Sequence, residues 1–106
     1  MKLSVLIPAH NEEGTITETL IGVFDTLTKE KIEHEILVVN DYSTDHTKEV
    51  LNEVSANLPS MRHINNTLPR GFGYAVRCGL NSFNGDCVAI IMADASESPA
   101  DLVKFY

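Results

Sequence analysis

Three apolar runs each empty into a polar, acid-bearing cluster: Leu3–Ile7 into Pro8-Ala9-His10-Asn11-Glu12, Ile36–Val39 into Asn40-Asp41-Tyr42-Ser43, and Val88–Ala93 into Asp94-Ala95-Ser96-Glu97. Carboxylates accept hydrogen bonds from ligand N–H and O–H groups and take hard divalent cations, so these residue types suit recognition of a polar ligand. The spacing adds a geometry. Buried parallel strands read as continuous apolar runs, and open α/β sheets bind ligands beyond the carboxyl ends of their strands. Three such clusters on one sheet edge make a site.

The elements that must position them follow from periodicity. Leu3–Ile7 reads as a strand, and Ile16, Leu20, Val23, Phe24 and Leu27 recur at spacings of three and four, predicting a helix with one buried face that Asn11 is placed to cap. Ile36–Val39 is a second strand; Val50, Leu51, Val54 and Leu58 form the stripe of the next helix, with Ser43 or Thr44 as its cap. Met61–Ile64 is a weaker strand suited to an edge. A third helix carries Ala75, Val76, Gly79, Leu80 and Phe83, Gly85-Asp86 makes a tight turn, and Val88–Ala93 is a fourth strand. Ser98-Pro99-Ala100-Asp101 opens a last helix with a cap, a first-turn proline and an acid. The order βαβαβαβα predicts an α/β fold with a mostly parallel, doubly wound sheet and right-handed crossovers.

The 106 residues are enough for a single domain spanning 1–106, and 43% hydrophobic with 22% charged residues argues against disorder. A net charge of −7 with dispersed cations disfavours a nucleic-acid partner, and none is expected, although an anionic ligand can still bind through a metal ion, a helix N-terminus or a local Arg. Cys78 and Cys87 lack CxxC spacing, which argues against a zinc site or disulfide framework and for a reduced, cytoplasmic setting. His10, His34, His46 and His63 share no ligand spacing and read as solvated or half-buried side chains. No run approaches the ~20 apolar residues of a membrane helix, and Met1-Lys2 leads into a strand, not a signal peptide. Membrane contact is therefore expected only through segments downstream.

Two common nucleotide folds are excluded. The first strand-to-helix turn is Pro8-Ala9-His10-Asn11-Glu12-Glu13-Gly14, without GxGxxG, and no GxxxxGK[ST] occurs. Arg70-Gly71-Phe72-Gly73 is glycine-rich, but it reads equally as a plain turn before a helix.

The segments Leu3–Glu12, Ile36–Thr47, Arg70–Ala75 and Gly85–Asp94, in this order and at these spacings, resemble the N-terminal half of family 2 glycosyltransferases, most closely the dolichyl- or polyprenyl-phosphate sugar transferase branch. The resemblance covers essentially the whole chain. It implies a Rossmann-like GT-A half domain that binds a nucleoside diphosphate sugar. Pro8, Ala9 and Glu12 would border its base and ribose, Asp41 would contact the base, and Arg70, Gly71 and Ala93 would complete the donor site. A carboxylate accepts from the ring N–H of uracil or guanine, a donor that adenine lacks, so a UDP- or GDP-sugar is favoured. From residue type alone, Asp41 reads equally as a helix cap or turn residue. Arg70 reads equally as a solvent-facing side chain.

At the third cluster the chain departs from the family's Asp-x-Asp. The second acid falls on Asp94 and the first on Met92, leaving Asp94 as the metal ligand and Glu97 as a substitute that also reads as a solvated first-turn charge. The implied cofactor is a divalent cation, Mg2+ or Mn2+, which needs only one or two protein carboxylates beside substrate phosphates. The implied reaction is inverting sugar transfer to an acceptor such as a polyprenyl phosphate or a polysaccharide. In the family the general base and acceptor surface lie downstream, so no catalytic base is expected in this chain, and the isolated chain is expected to be inactive and prone to self-association. Two other readings stay open: a diverged or truncated nucleotide-binding module without turnover, and a structural domain of the same fold.

Overall fold

The computed structural model describes residues 2–93. Seven elements alternate along them: β1 (Leu3–Ala9), α1 (Ile16–Lys29), β2 (His34–Asn40), α2 (Thr47–Ser55), β3 (Met61–Asn65), α3 (Phe72–Leu80) and β4 (Cys87–Ile90). The helix expected from Ser98 lies outside the described residues. The strands form one parallel sheet in the order β3-β2-β1-β4, with the Met61 strand at an edge as its weak pattern predicts.

Burial on both faces explains the continuous apolar runs of the two central strands. Leu3, Val5, Ile7, Ile36 and Val38 join Ile16, Leu20, Val23 and Leu27 of α1 and Leu51 and Val54 of α2 in one core. The alternate residues Leu6, Leu37 and Val39 pack against Ala75 and Cys78 of α3 in a second. Helices thus cover both faces. At Gly79 an added Cβ would lie 2.1 Å from Leu6 Cδ1, so the glycine is what lets α3 approach β1 this closely.

Both element ends and loops refine the sequence reading. Leu58 and Phe83 lie past the ends of α2 and α3 but still pack onto the cores. The fourth strand pairs from Cys87 to Ile90 and not to Ala93, with Ile91 N donating to Leu6 O at 3.1 Å. Pro8 supplies the reason. Ala9 O accepts from Asp41 N, so Ala9 faces β2 and Pro8 faces β4, where it has no N–H to give. The β1–β2 ladder runs on to Ala9↔Asn40 while the β1–β4 ladder stops at Leu6↔Ile90. The strand order reverses between β1 and β4, so this parting lies at the topological switch point, where doubly wound sheets bind ligands.

The amino edge of the sheet is locked instead. Buried Glu35 accepts from Ser4 Oγ (2.7 Å), Arg62 Nε (3.0 Å) and Asn84 N, while Ser4 Oγ accepts from Gly85 N (2.8 Å). Gly85 has no room for a side chain: a Cβ would meet Ser4 Oγ at 2.4 Å and Lys2 O at 2.8 Å. The Gly85-Asp86 turn is structural, as its sequence suggests.

Candidate functional site

The loops after β1 and β2 are laced together at the carboxyl edge. Asn11 adopts a left-handed conformation (φ 53°), which its short polar side chain tolerates. Its Oδ1 accepts from Thr44 N (2.7 Å) and Asp45 N (3.3 Å), and its own N–H donates to Ser43 Oγ (3.1 Å). The expected caps are thereby corrected. Asn11 does not cap α1, which begins at Ile16, and Ser43 and Thr44 do not cap α2 because Asn11 engages them. Asp45 does that work: its Oδ1 accepts from Thr47 N (2.9 Å) and from the Thr47 hydroxyl, and its Oδ2 from Glu13 N (3.3 Å). Burial pushes its carboxyl pKa up, but the bonds from Thr47 and Glu13 outweigh this and hold it below the usual range. Thr47 in turn accepts from Glu12 N at 2.9 Å, tying Glu12 to the start of α2.

Asp41 lies at the centre of the edge, 5% exposed. Its Oδ1 accepts from Asn66 Nδ2 (2.9 Å), and Gly71 N donates to both carboxylate oxygens (3.3 and 3.1 Å). The helix-cap alternative does not hold for α2: the carboxylate reaches across to the segment before α3. Asn66 folds that segment, accepting from Leu68 N (2.9 Å) and donating to Pro69 O (3.1 Å).

His10 connects these parts. Its Nδ1 is 2.6 Å from Asp41 O and its Nε2 is 2.9 Å from an Arg70 guanidinium nitrogen. A carbonyl only accepts and a guanidinium only donates, so the geometry requires the proton on Nδ1 and a lone pair on Nε2. Arg70 itself is exposed and, with Gly71, Gly73, Tyr74 and Arg77, lines an open cavity of about 450 Å3.

The end of the third apolar run meets the start of α1 through two hydroxyls. Ala93 is buried, and its carbonyl accepts from Thr19 Oγ1 (3.0 Å) and Thr15 Oγ1 (3.3 Å); the latter also lies 3.0 Å from Glu12 Oε2. Asp94 and Glu97 lie outside the described residues. Among the described residues, no three His, Cys, Asp or Glu side chains gather as a metal cluster.

The fold therefore brings Pro8, Ala9, Glu12, Asp41, Arg70, Gly71 and Ala93 to one edge. Pro8 and Ala9 are buried and contribute backbone more than side chain. Of the site neighbours, His10, Asn11 and Tyr42 stood in the acid-bearing clusters of the sequence without a binding role assigned to them, and Asn66 was missed altogether. Asn66, three residues before Pro69, carried the signal of a side chain that turns its own backbone. His10 carried none, since its partners are 31 and 60 residues away.

The geometry offers an edge with one buried carboxylate, one oriented guanidinium and a parted switch point, and the comparisons with known proteins name its family. The profile of Glycosyl transferase family 2 matches residues 4–106. The chain belongs to glycosyl transferase family 2. It is 33% identical to the undecaprenyl-phosphate 4-deoxy-4-formamido-L-arabinose transferase of Edwardsiella ictaluri, over 96% of this chain and 32% of that one. Polyprenyl-phosphate sugar transferases thus stand among the relatives of this family 2 chain. Its fold superposes on the Pyrobaculum calidifontis mannosyltransferase in complex with GDP-Man and Mn2+ with a TM-score of 0.76 and 27% identity, covering 87% of this chain and 27% of that one. Glucosyl-3-phosphoglycerate synthase from Mycobacterium tuberculosis, in complex with Mn2+, UDP and phosphoglyceric acid, gives a TM-score of 0.75 and 26% identity, covering 96% and 36%. These neighbours establish the GT-A architecture. The chain spans about a quarter to a third of the curated relatives it matches.

Proposed function

We propose that this family 2 chain is the donor-binding part of an inverting glycosyltransferase of glycan or cell-wall biosynthesis, taking a UDP- or GDP-sugar and passing its sugar to an acceptor. The observation that carries this reading is the convergence of buried Asp41, oriented Arg70 and the Pro8 parting on one carboxyl edge. Asp41 accepts the ring N–H of uracil or guanine; Glu12, Pro8 and Ala9 border the base and ribose; Arg70 and Gly71 close over the ligand. GDP-Man and UDP in the neighbours' complexes support both nucleotides. The E. ictaluri relative supports a polyprenyl phosphate as the acceptor.

The residues present fit a divalent cation, Mg2+ or Mn2+. Ala93, whose carbonyl is anchored by Thr15 and Thr19 at the switch point, is followed directly by Asp94, an acid of the right type, with Glu97 three further on. A cation there would offset the charge of the departing diphosphate. The two neighbours carry Mn2+. Met92, in the place of the family's first acid, favours one alternative: a nucleotide-binding module without turnover.

No helix among the described residues is long and apolar enough to cross a membrane. The free thiols of Cys78 and Cys87 support a cytoplasmic setting. Exposed Ile90 at the end of β4 and exposed Met92 just beyond it support self-association of the isolated chain.

Asp94→Asn tests the metal assignment. Calorimetric titration with UDP and GDP should lose its Mn2+ enhancement in the variant while keeping the metal-free affinity of the parent. An equal Mn2+ response in both proteins contradicts a cation at Asp94.

A further inference from the structure

Three described residues other than glycine have positive φ: Asn11, Lys31 and Tyr42. Asn11 is of a type that tolerates this region, and Lys31 closes the C-terminus of α1 through Lys31 N to Thr28 O and Ile32 N to Leu27 O. Tyr42, at φ 52°, has neither reason, and bulky side chains resist the left-handed region. Such strain persists where the surroundings gain something from it. Burial of the ring is not that gain, because Tyr42 is 49% exposed. Among the described residues its side chain makes one hydrogen bond, and that is long-range: its hydroxyl donates to Leu68 O at 2.7 Å.

Leu68 opens the short segment that ends at Gly71. Asp41 holds the far end of this segment through Gly71 N, and Tyr42, the next residue, holds the near end through Leu68 O. Arg70 lies between the two attachments, with its guanidinium on His10 Nε2. We propose that Tyr42 is a positioning residue: held in a strained backbone, it straps Leu68 to Gly71 so that Arg70 is fixed at the donor site before a nucleoside diphosphate sugar arrives. A long cation fixed in advance loses less conformational entropy on binding, which strengthens its contact with the ligand. This inference rests on the donor-binding reading above.

Two measurements test it. Without nucleotide, hydrogen–deuterium exchange of the Gly71 amide reads the strap: Tyr42→Phe, which deletes only the hydroxyl, should speed exchange there. Unchanged protection overturns the strap. With UDP and GDP in the presence of Mn2+, a double-mutant cycle with Arg70→Ala reads the positioning. Tyr42→Phe should weaken binding about 3–10-fold beside Arg70 and by less than about twofold beside Ala at that position, as expected for one lost hydrogen bond acting through the arginine. Tyr42→Gly keeps the left-handed backbone without steric conflict and should show the same dependence, so a folding defect in the phenylalanine variant does not end the test. Equal losses in both backgrounds, or no loss beside Arg70, overturn the positioning role. Faster Gly71 exchange in Tyr42→Phe, beside a parent that binds neither nucleotide, overturns the donor-binding function itself, and Tyr42's positioning role with it.

Discussion

At Asp41 one carboxylate serves the fold and, in our reading, the ligand. Its oxygens already accept from Asn66 and Gly71, and a carboxylate offers about four lone-pair directions, so one remains for a base N–H. Asp41→Asn replaces an acceptor oxygen with an NH2 that has only donors around it. We expect nucleoside affinity to fall by about 1–3 kcal/mol, with a loss of folding stability of similar size. Titration and denaturation of the same sample check this; reduced stability with unchanged affinity would leave Asp41 a purely structural residue. The sequence shows Asp41 as the acid that ends a buried strand. It does not show that Asp41 holds Gly71, because a contact between residues 30 apart has no local pattern.

Among elements, the buried strands and amphipathic helices were legible because their periodicities are strong. The capping residues were not. Asn11, Ser43 and Thr44 match local capping rules, but they bond to one another across two loops, and Asp45 takes the cap of α2. Close approach of α3 to β1 was equally silent in the sequence: Gly79 counts there only as a small residue on an apolar stripe. Gly79→Ala would normally favour a helix by about 1 kcal/mol. Here the new methyl meets fully buried Leu6, so we expect net destabilisation of roughly 1–3 kcal/mol. Urea denaturation reads the difference, and a more stable variant would mean that Leu6 can yield.

At the scale of the described molecule, the sheet has a fastened amino edge and a parted carboxyl edge, and in our reading the two divide stability from binding. Burial raises the pKa of Glu35, but bonds from Asn84 N, Ser4 Oγ and Arg62, together with the Arg62 charge, outweigh it and hold the carboxyl below its usual range. A depressed folded pKa stabilises fully above the unfolded value of about 4.3, and that contribution is lost as pH falls through the folded pKa. Glu35→Gln should therefore cost about 1–3 kcal/mol at about pH 7, with the gap to the parent closing below about pH 4. A gap that keeps its size in acid would contradict a charge-based lock. None of this network was read from the sequence, since Ser4, Glu35 and Arg62 meet only once the strands are in register.

The opposite edge carries the central claim, that Asp41 selects a base with a ring N–H. Calorimetric titration of the chain with UDP, GDP and ADP in the presence of Mn2+ tests it most directly. We predict that UDP or GDP binds at least about tenfold more tightly than ADP, the equivalent of one charge-assisted hydrogen bond. ADP binding as tightly as both, or no binding of any of the three, would contradict it.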